Sequence, residues 1–409
     1  MRASSTLASV SATFAFSIFA APAHAAGFAL DVQSARGTGM ATAMTGHVDD
    51  SSAIFFNPAG IAQGKSIDAQ LGVTLIIPKF TYTDRSGNST DTNFHVVPPV
   101  NAYVSGGITD KLSLGIGFFS PFGSRLGWPD GWEGRRQITD VAVQTFDINP
   151  TAAYRFGPLR IGAGLQIMRG TVHLQRHLAF GETEGSSDLG AGTWGVGANV
   201  GAQVEAIPKV LSFGAHYRSA VKLSFDGLAH FENVPSPLQY AIHDQRGGTS
   251  LLTPDTFAMG AAFWPTPSLL LAADVVWYGW GNLRSVDLAF PDDASNTLAS
   301  SKPKSWHNVV NYHVGAEAIV AEAWRVRGGI VYDPSPSPKD TLTPDIPDAD
   351  RINFALGGSY IHPSGFRAEV GYTLVAFLSA DSTSPELPGK YGGFANVLGI
   401  SLGYRSPVN

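Results

Sequence analysis

A two-residue alternation of apolar with small or polar side chains restarts again and again from about Ser66 to Tyr404. It is clearest in Ile67, Ala69, Leu71, Val73, Leu75 and Ile77, with Asp68, Gln70, Gly72 and Thr74 between them. It returns in Trp194, Val196, Ala198, Val200, Ala202 and Val204, interleaved with small and polar residues. A period of two puts successive side chains on opposite faces of a strand. A long series of such strands, joined by links that alternate short and long, suggests a closed barrel with its apolar face in lipid and its other face lining a lumen. Charged residues make up 15% of the chain, against roughly 25% in soluble domains. The 46 glycines and 11% aromatic residues suit small lumen residues and aromatic girdles.

The N-terminus sets the expected compartment. Arg2, the apolar stretch from Leu7 to Ala21 and the small-x-small site Ala23-His24-Ala25 read as a secretory signal over residues 1–25. Beyond it, Gly, Pro and charges interrupt every apolar stretch before the roughly 18–20 residues of a spanning helix accumulate. The chain has no cysteine, so disulfide and thiolate chemistry are excluded. A net charge of −6 argues against a nucleic-acid partner. His173 and His177 sit in extended chain, where four residues span roughly 13 Å, too far to share a metal. With no HExxH, Walker or GxSxG motif in a fitting context, no metal, cofactor or enzymatic activity is expected.

About fourteen strand-like runs can be placed, an even number as single-chain bacterial barrels require. They begin near Ser66, Val96, Leu112, Gln144, Leu159, Gly192, Val210, Thr253, Ser268, Trp306, Trp324, Arg351, Gly365 and Phe394. Short turns such as Thr109-Asp110-Lys111 and Gly157-Pro158 alternate with long links, including Asp84 to Asn93, Ser120 to Val143, Gln175 to Ala191 and Asp226 to Leu252. So wide a barrel is not filled by its own side chains. Residues 26–65 lack the alternation and read as short helices and turns. The expected architecture is an all-β transmembrane barrel over residues 66–409, of antiparallel strands, with residues 26–65 as a small helical hatch plugging the lumen.

Two blocks carry a resemblance. Gly27-Phe28, the small-residue run to Gly46 and Asp49-Asp50-Ser51-Ser52-Ala53-Ile54-Phe55-Phe56-Asn57-Pro58-Ala59-Gly60 form the first. Ser120-Pro121-Phe122-Gly123, Trp128, Asp130, Trp132, Gly134-Arg135, Ile148-Asn149-Pro150 and Ala152-Ala153-Tyr154 form the second. Together they resemble the FadL-type family of outer-membrane transporters, which includes toluene transporters. The resemblance implies a fourteen-stranded barrel with a hatch in the outer membrane of a Gram-negative bacterium, passing long-chain fatty acids or other hydrophobic compounds inward. It also implies capture by outer loops, an apolar tunnel, and release through a lateral gap at a kinked third strand when the hatch N-terminus shifts. The hatch and gating residues are then Gly27, Phe28, Phe55, Phe56, Asn57, Pro58 and Ala59. The third strand is Leu112 to Phe119, with Gly115 and Gly117 in it and Pro121 just beyond, glycine and proline being what a broken ladder needs at the expected kink. Expected partners are the fatty acid or hydrocarbon ligand, outer-membrane lipid and the barrel-assembly machinery, and the protein is expected to be a monomer.

A fatty acid needs greasy walls, worth about 0.8 kcal/mol per buried methylene, and a cation for its carboxylate. In the seventh strand, Ser212, Gly214, His216, Arg218, Lys222 and Asp226 read as one face. That face is expected to line the lumen, since a cation facing lipid at mid-depth costs about 2–4 kcal/mol. Arg218 and Lys222 are the candidate head-group ligands. The alternative is that they pair with Asp226, Asp274 or Glu205. Arg155, Arg160, Arg325, Arg327 and Arg367 lie near short turns, where pairing with Glu205, Glu317, Glu369, Asp31, Asp49 or Asp50 is expected. Leu228, Phe231, Val234, Leu238, Tyr240 and Ile242 in the fourth long link, with Phe180 and Leu189 in the third, are candidates for first capture, the alternative being packing of loop on loop. Rival functions are an open diffusion porin, an uptake channel for aromatic hydrocarbons, a hydrolase built on His216, and a surface adhesin.

Overall fold

The alternation resolves into a ring. A computed structural model describes residues 27–293 and 298–407; the expected signal over residues 1–25 lies outside them. The strands are β1 (Ile67–Thr83), β2 (Val100–Gly107), β3 (Leu112–Phe119 and Gly123–Gly127), β4 (Asp140–Phe156), β5 (Leu159–Phe180), β6 (Thr183–Ile207) and β7 (Leu211–Arg218 and Lys222–Glu232). They continue as β8 (Gln245–Leu252 and Thr256–Thr266), β9 (Leu269–Tyr278), β10 (Val309–Ala321), β11 (Trp324–Asp333), β12 (Arg351–Ile361), β13 (Phe366–Ser382) and β14 (Gly389–Arg405). Each pairs antiparallel with the next, and β14 returns to β1 from Asp68↔Arg405 to Thr83↔Lys390. The 14-strand barrel thus closes on itself, which is how a sheet becomes tolerable in lipid.

Several links expected as loops are strand. Gln175 to Ala191 is the far end of the β5–β6 hairpin, turning at Gly181 with φ +68°. Past the lipid the outward face becomes polar, so the hydrophobic period fades while the backbone ladder continues.

A second departure has larger consequences. Asn199 pairs with Arg218, whereas Gly192 pairs with Asp226, so β7 has one residue more than β6 between these points. One extra residue makes a bulge, and an odd shift exchanges the two faces of the strand. Arg218 is therefore buried in the lumen, but beyond the bulge it is Val221 and Leu223 that turn inward, each 0% exposed. Lys222 is exposed on the outer face, which corrects its expected place beside Arg218.

The hatch fills the lumen with two short helices, α1 (Ala35–Gly39) and α2 (Ala53–Phe56), and a 3₁₀ turn over Pro58–Ile61. Met40, Met44, Val48, Ile54 and Ile61 bury its apolar side. Charge fixes one end of it. Arg36 pairs with Asp49 at 2.5 Å, Asp50 at 3.0 Å and the wall residue Glu317 at 3.3 Å. Arg327 joins Glu317 at 2.5 Å to Glu369 at 3.4 Å, while Arg367 and Arg405 both hold Asp68, at 2.6 and 3.0 Å. Breaking one such buried pair leaves an uncompensated charge, at a cost of about 3–5 kcal/mol.

The Asn57-Pro58-Ala59 tripeptide docks on the wall where the wall has no side chains. The Asn57 amide donates to the carbonyls of Thr45 and Ala202, both at 3.0 Å, and Asn57 Oδ1 accepts from Ala59 N. A Cβ on Gly201 would fall 2.2 Å from Asn57 Oδ1, and one on Gly162 would fall 2.4 Å from the Pro58 carbonyl oxygen. Glycine is required there by close approach, not by backbone angle. Asn57→Ala leaves buried carbonyls unpaired and should cost about 1–3 kcal/mol, read as a lower thermal unfolding midpoint of the detergent-solubilised barrel; an unchanged midpoint would contradict this anchoring.

Candidate functional site

The third strand is broken, and the hatch completes it. Between Phe119↔Asp147 and Gly123↔Gln144, β3 carries one extra residue, at Ser120-Pro121-Phe122. Its outer half, Gly123–Gly127, pairs with β4 but not with β2 among the described residues; Asn93 crosses the opening, its backbone N donating to Gly127 O and its side-chain amide to Trp128 O. The segment of residues 27–32, the strap, supplies the missing partner. Leu30 N donates to Pro121 O at 2.9 Å, Gly123 N donates to Phe28 O at 3.0 Å, and Ala29 faces Phe122 as a β-bridge. The Gln33 amide donates to Ser120 O at 2.6 Å and accepts from Ser120 N at 3.3 Å. Gly115 and Gly117, by contrast, stand in an unbroken ladder with Ser105 and Tyr103 on one side and Thr151 and Asn149 on the other. They are not the kink. Their missing side chains leave room for Ile54 of the hatch, whose atoms lie about 3 Å from where a Cβ would stand.

The strap is held at its tip by rings. Phe28 lies edge-on to Trp280 at 4.7 Å and within 6.2 Å of Phe122 and Trp306. The Tyr278 hydroxyl donates to Asp31 Oδ2 at 2.5 Å, and Arg351, ion-paired with Asp333 at 2.9 Å, approaches the Gly27 carbonyl at 3.5 Å. Beside the strap lies a cavity of about 180 Å³ with largely apolar walls, Leu30, Ile76, Val97, Leu126 and Phe377 among them. Gly123 and Ser124 also line it, so it borders the break.

Arg218 faces a smaller chamber of about 60 Å³ on the other side of the strap, together with His216, Phe55 and Phe122. Its donors are already engaged. It pairs with Asp147 at 3.3 Å, donates to Gln166 Oε1 at 3.0 Å and to the Phe55 carbonyl at 3.2 Å, and lies over the Phe55 and Phe119 rings. The partner is Asp147, not Asp226, Asp274 or Glu205. Phe55 also meets Phe56 and Phe119 edge-on, at 5.0 and 5.3 Å, so the ring pair and the guanidinium lock α2 to the wall.

A third cavity, of about 210 Å³, opens among the outer loops. Phe180, Leu189 and Ile242 come together in it, with Phe231 and Phe290. Leu238 does not join them; it sits on an exposed 3₁₀ turn (Ser236–Leu238) outside the chamber. Two cations missed in the sequence line the same space, Arg176 at the end of β5 and Lys302 in the link between β9 and β10. Neither makes an ion pair among the described residues. Lys302 Nζ donates to Gln137 Oε1 at 3.0 Å, and burial lowers its pKa. Its neighbour Lys304 is already matched by Asp345 at 2.8 Å. Over the rim, hydrogen bonds from Arg135 and Arg136 hold the Glu184 carboxyl at about 2, which ties the loop bearing Gln137 to the β5–β6 hairpin. Arg176 lay in a run read as a polar loop, and no period or motif marked Lys302.

Because Arg218 holds Asp147 and α2, Arg218→Gln should cost about 3–5 kcal/mol. It should also weaken oleate and toluene binding to a similar extent, as measured by titration of the purified barrel. Loss confined to oleate would instead make Arg218 a carboxylate ligand.

A family model described as "Outer membrane protein transport protein (OMPP1/FadL/TodX)" matches residues 16–405. A long-chain fatty acid transport protein of Escherichia coli is 24% identical, over 87% of this chain and 88% of its own length. Among solved structures, a Pseudomonas aeruginosa FadL homologue superposes with a TM-score of 0.84 at 18% identity, covering 93% of this chain and 99% of that one. The Pseudomonas putida toluene transporter TodX gives 0.70 at 14% identity, over 94% and 100%. The chain belongs to the OMPP1/FadL/TodX family of outer-membrane transport proteins.

Proposed function

We propose that this protein admits long-chain fatty acids, or closely related amphiphiles, passively across the outer membrane. The observation that carries the reading is the outer chamber, whose apolar wall of Phe180, Leu189, Phe231 and Ile242 is joined by two half-buried cations that make no ion pair among the described residues, the one carboxylate in the lining, Asp345, being bonded to Lys304. A fatty acid matches both parts. Its alkyl chain gains about 0.8 kcal/mol per buried methylene, and its carboxylate restores the charge balance that burial has disturbed at Lys302. The Escherichia coli relative is named as a long-chain fatty acid transporter, in keeping with this choice.

Residues 26–65 then act as the hatch and residues 66–409 as the barrel, after removal of a signal over residues 1–25. The ligand is captured in the outer chamber and moves down to the cavity beside the strap. Displacing the strap removes Phe28 and Leu30 from the β3 break and opens a sideways exit past Gly123 into the membrane. Gly27 and Phe28 move in this step; Phe55, Phe56, Asn57, Pro58 and Ala59 hold the rest of the hatch in place. No bond is made or broken, so the protein acts as a carrier and not as an enzyme.

Arg176→Gln combined with Lys302→Gln should weaken oleate binding by about tenfold or more, consistent with loss of charge-assisted contacts, while toluene binding changes little. Equal binding of oleate by the double variant would overturn the carboxylate role and favour an uncharged hydrocarbon as substrate.

A further inference from the structure

Lys222, turned outward by the bulge in β7, stands on the lipid-facing surface of the barrel. The outward residues of β5 to β8 run apolar up to one level and then change. Ile161 and Leu165 on β5, Val200 and Val196 on β6, Phe213 and Tyr217 on β7, and Met259 and Phe257 on β8 are all exposed. The charges beyond them are Arg169 on β5, Lys222 and Asp226 on β7, and Asp255 in the link between the two parts of β8. Between the two cations stands Trp194 of β6, 60% exposed and paired across the ladder with Arg169. An outward Trp at the end of an apolar belt marks the membrane–water interface.

The Arg169 guanidinium lies over the backbone of Gly192, where an added Cβ would fall 2.4 Å from its Nη2, and faces the Trp194 ring at 5.8 Å. Asp226, opposite Gly192 on this face, is taken by Arg246 at 3.0 Å, and Asp255 accepts from the Tyr217 hydroxyl at 3.4 Å. Higher up, Asp188 is held by His173 at 2.8 Å. Arg169 and Lys222 make no ion pair among the described residues, so this face presents two unpaired cations, beside the one carboxylate Asp255 that has a hydroxyl partner, at the level where lipid head groups lie. A guanidinium and an ammonium at that depth suit phosphate, the former by paired hydrogen bonds and the latter as a point charge.

We propose that Arg169, Trp194 and Lys222 form a binding site for the phosphorylated head group of a glycolipid in the outer leaflet. Trp194 packs on the upper acyl chain and sugar, and the two cations bind phosphate. The site is separate from the transport path, because the barrel wall stands between them.

The full protein in mild detergent is incubated with diphosphorylated lipid A, with its dephosphorylated form, and with inorganic pyrophosphate as competitor, and retained lipid is measured by native mass spectrometry. Diphosphorylated lipid should be retained about tenfold better than the dephosphorylated form, and millimolar pyrophosphate should not displace it. Arg169→Gln with Lys222→Gln should bring retention down to the dephosphorylated level, while Lys111→Gln, in a short turn at the opposite end of the barrel, should leave it unchanged. Equal retention of the two lipids by the unaltered protein would overturn the proposal even if the double variant fails to fold. Displacement by pyrophosphate, or full retention by the folded double variant, would overturn it as well.

Discussion

Every backbone amide and carbonyl in a membrane-spanning wall must find a partner inside the protein, because lipid offers none. The wall is broken at Ser120-Pro121-Phe122, and the repair there comes from the hatch. Leu30, Phe28 and Gln33 supply the hydrogen bonds that β2 does not reach to give. An unpaired group there would cost several kcal/mol, so the strap is both plug and missing strand. What holds the strap in place is a few backbone bonds, the aromatic cluster around Phe28, the Tyr278–Asp31 hydrogen bond and the approach of Arg351 to the Gly27 carbonyl, and beside it lies an apolar cavity that borders the break.

The rest of the hatch is held much more firmly. Arg36, Asp49, Asp50, Glu317, Arg327 and Glu369 form a buried ion network at one end, Arg218 and Asp147 clamp α2 in the middle, and Asn57 is seated against wall glycines. Stability is therefore unequally distributed. The strap lies outside this ion network and is held by fewer and weaker contacts.

The barrel was legible because period-two alternation survives wherever one face meets lipid, as in Ile67 to Ile77. It stopped being legible where the outer face turned polar, so the β5–β6 hairpin around Gly181 reads as a loop. The break after the third strand was marked by Pro121, but the bulge in β7 was not legible. A single extra residue at Ser219–Val221 leaves the alternation looking continuous while it exchanges the faces, and Lys222 was misplaced for that reason. Gly115 and Gly117 misled in another way, since a glycine chosen for close approach by Ile54 looks the same in sequence as one chosen to break a ladder. Arg176 and Lys302 come from distant parts of the chain and are joined only by the folding of the outer loops.

The central claim is that the strap paired with the β3 break is the closed state of the transporter. Ala29→Cys with Phe122→Cys, in a chain that has no other cysteine, places a disulfide across that β-bridge. Uptake of fluorescent fatty acid by cells expressing this variant is then compared with the bond oxidised and reduced. The account predicts that uptake is lost on oxidation and returns on reduction, with oleate binding retained throughout. Undiminished uptake with the bond fully formed would contradict it.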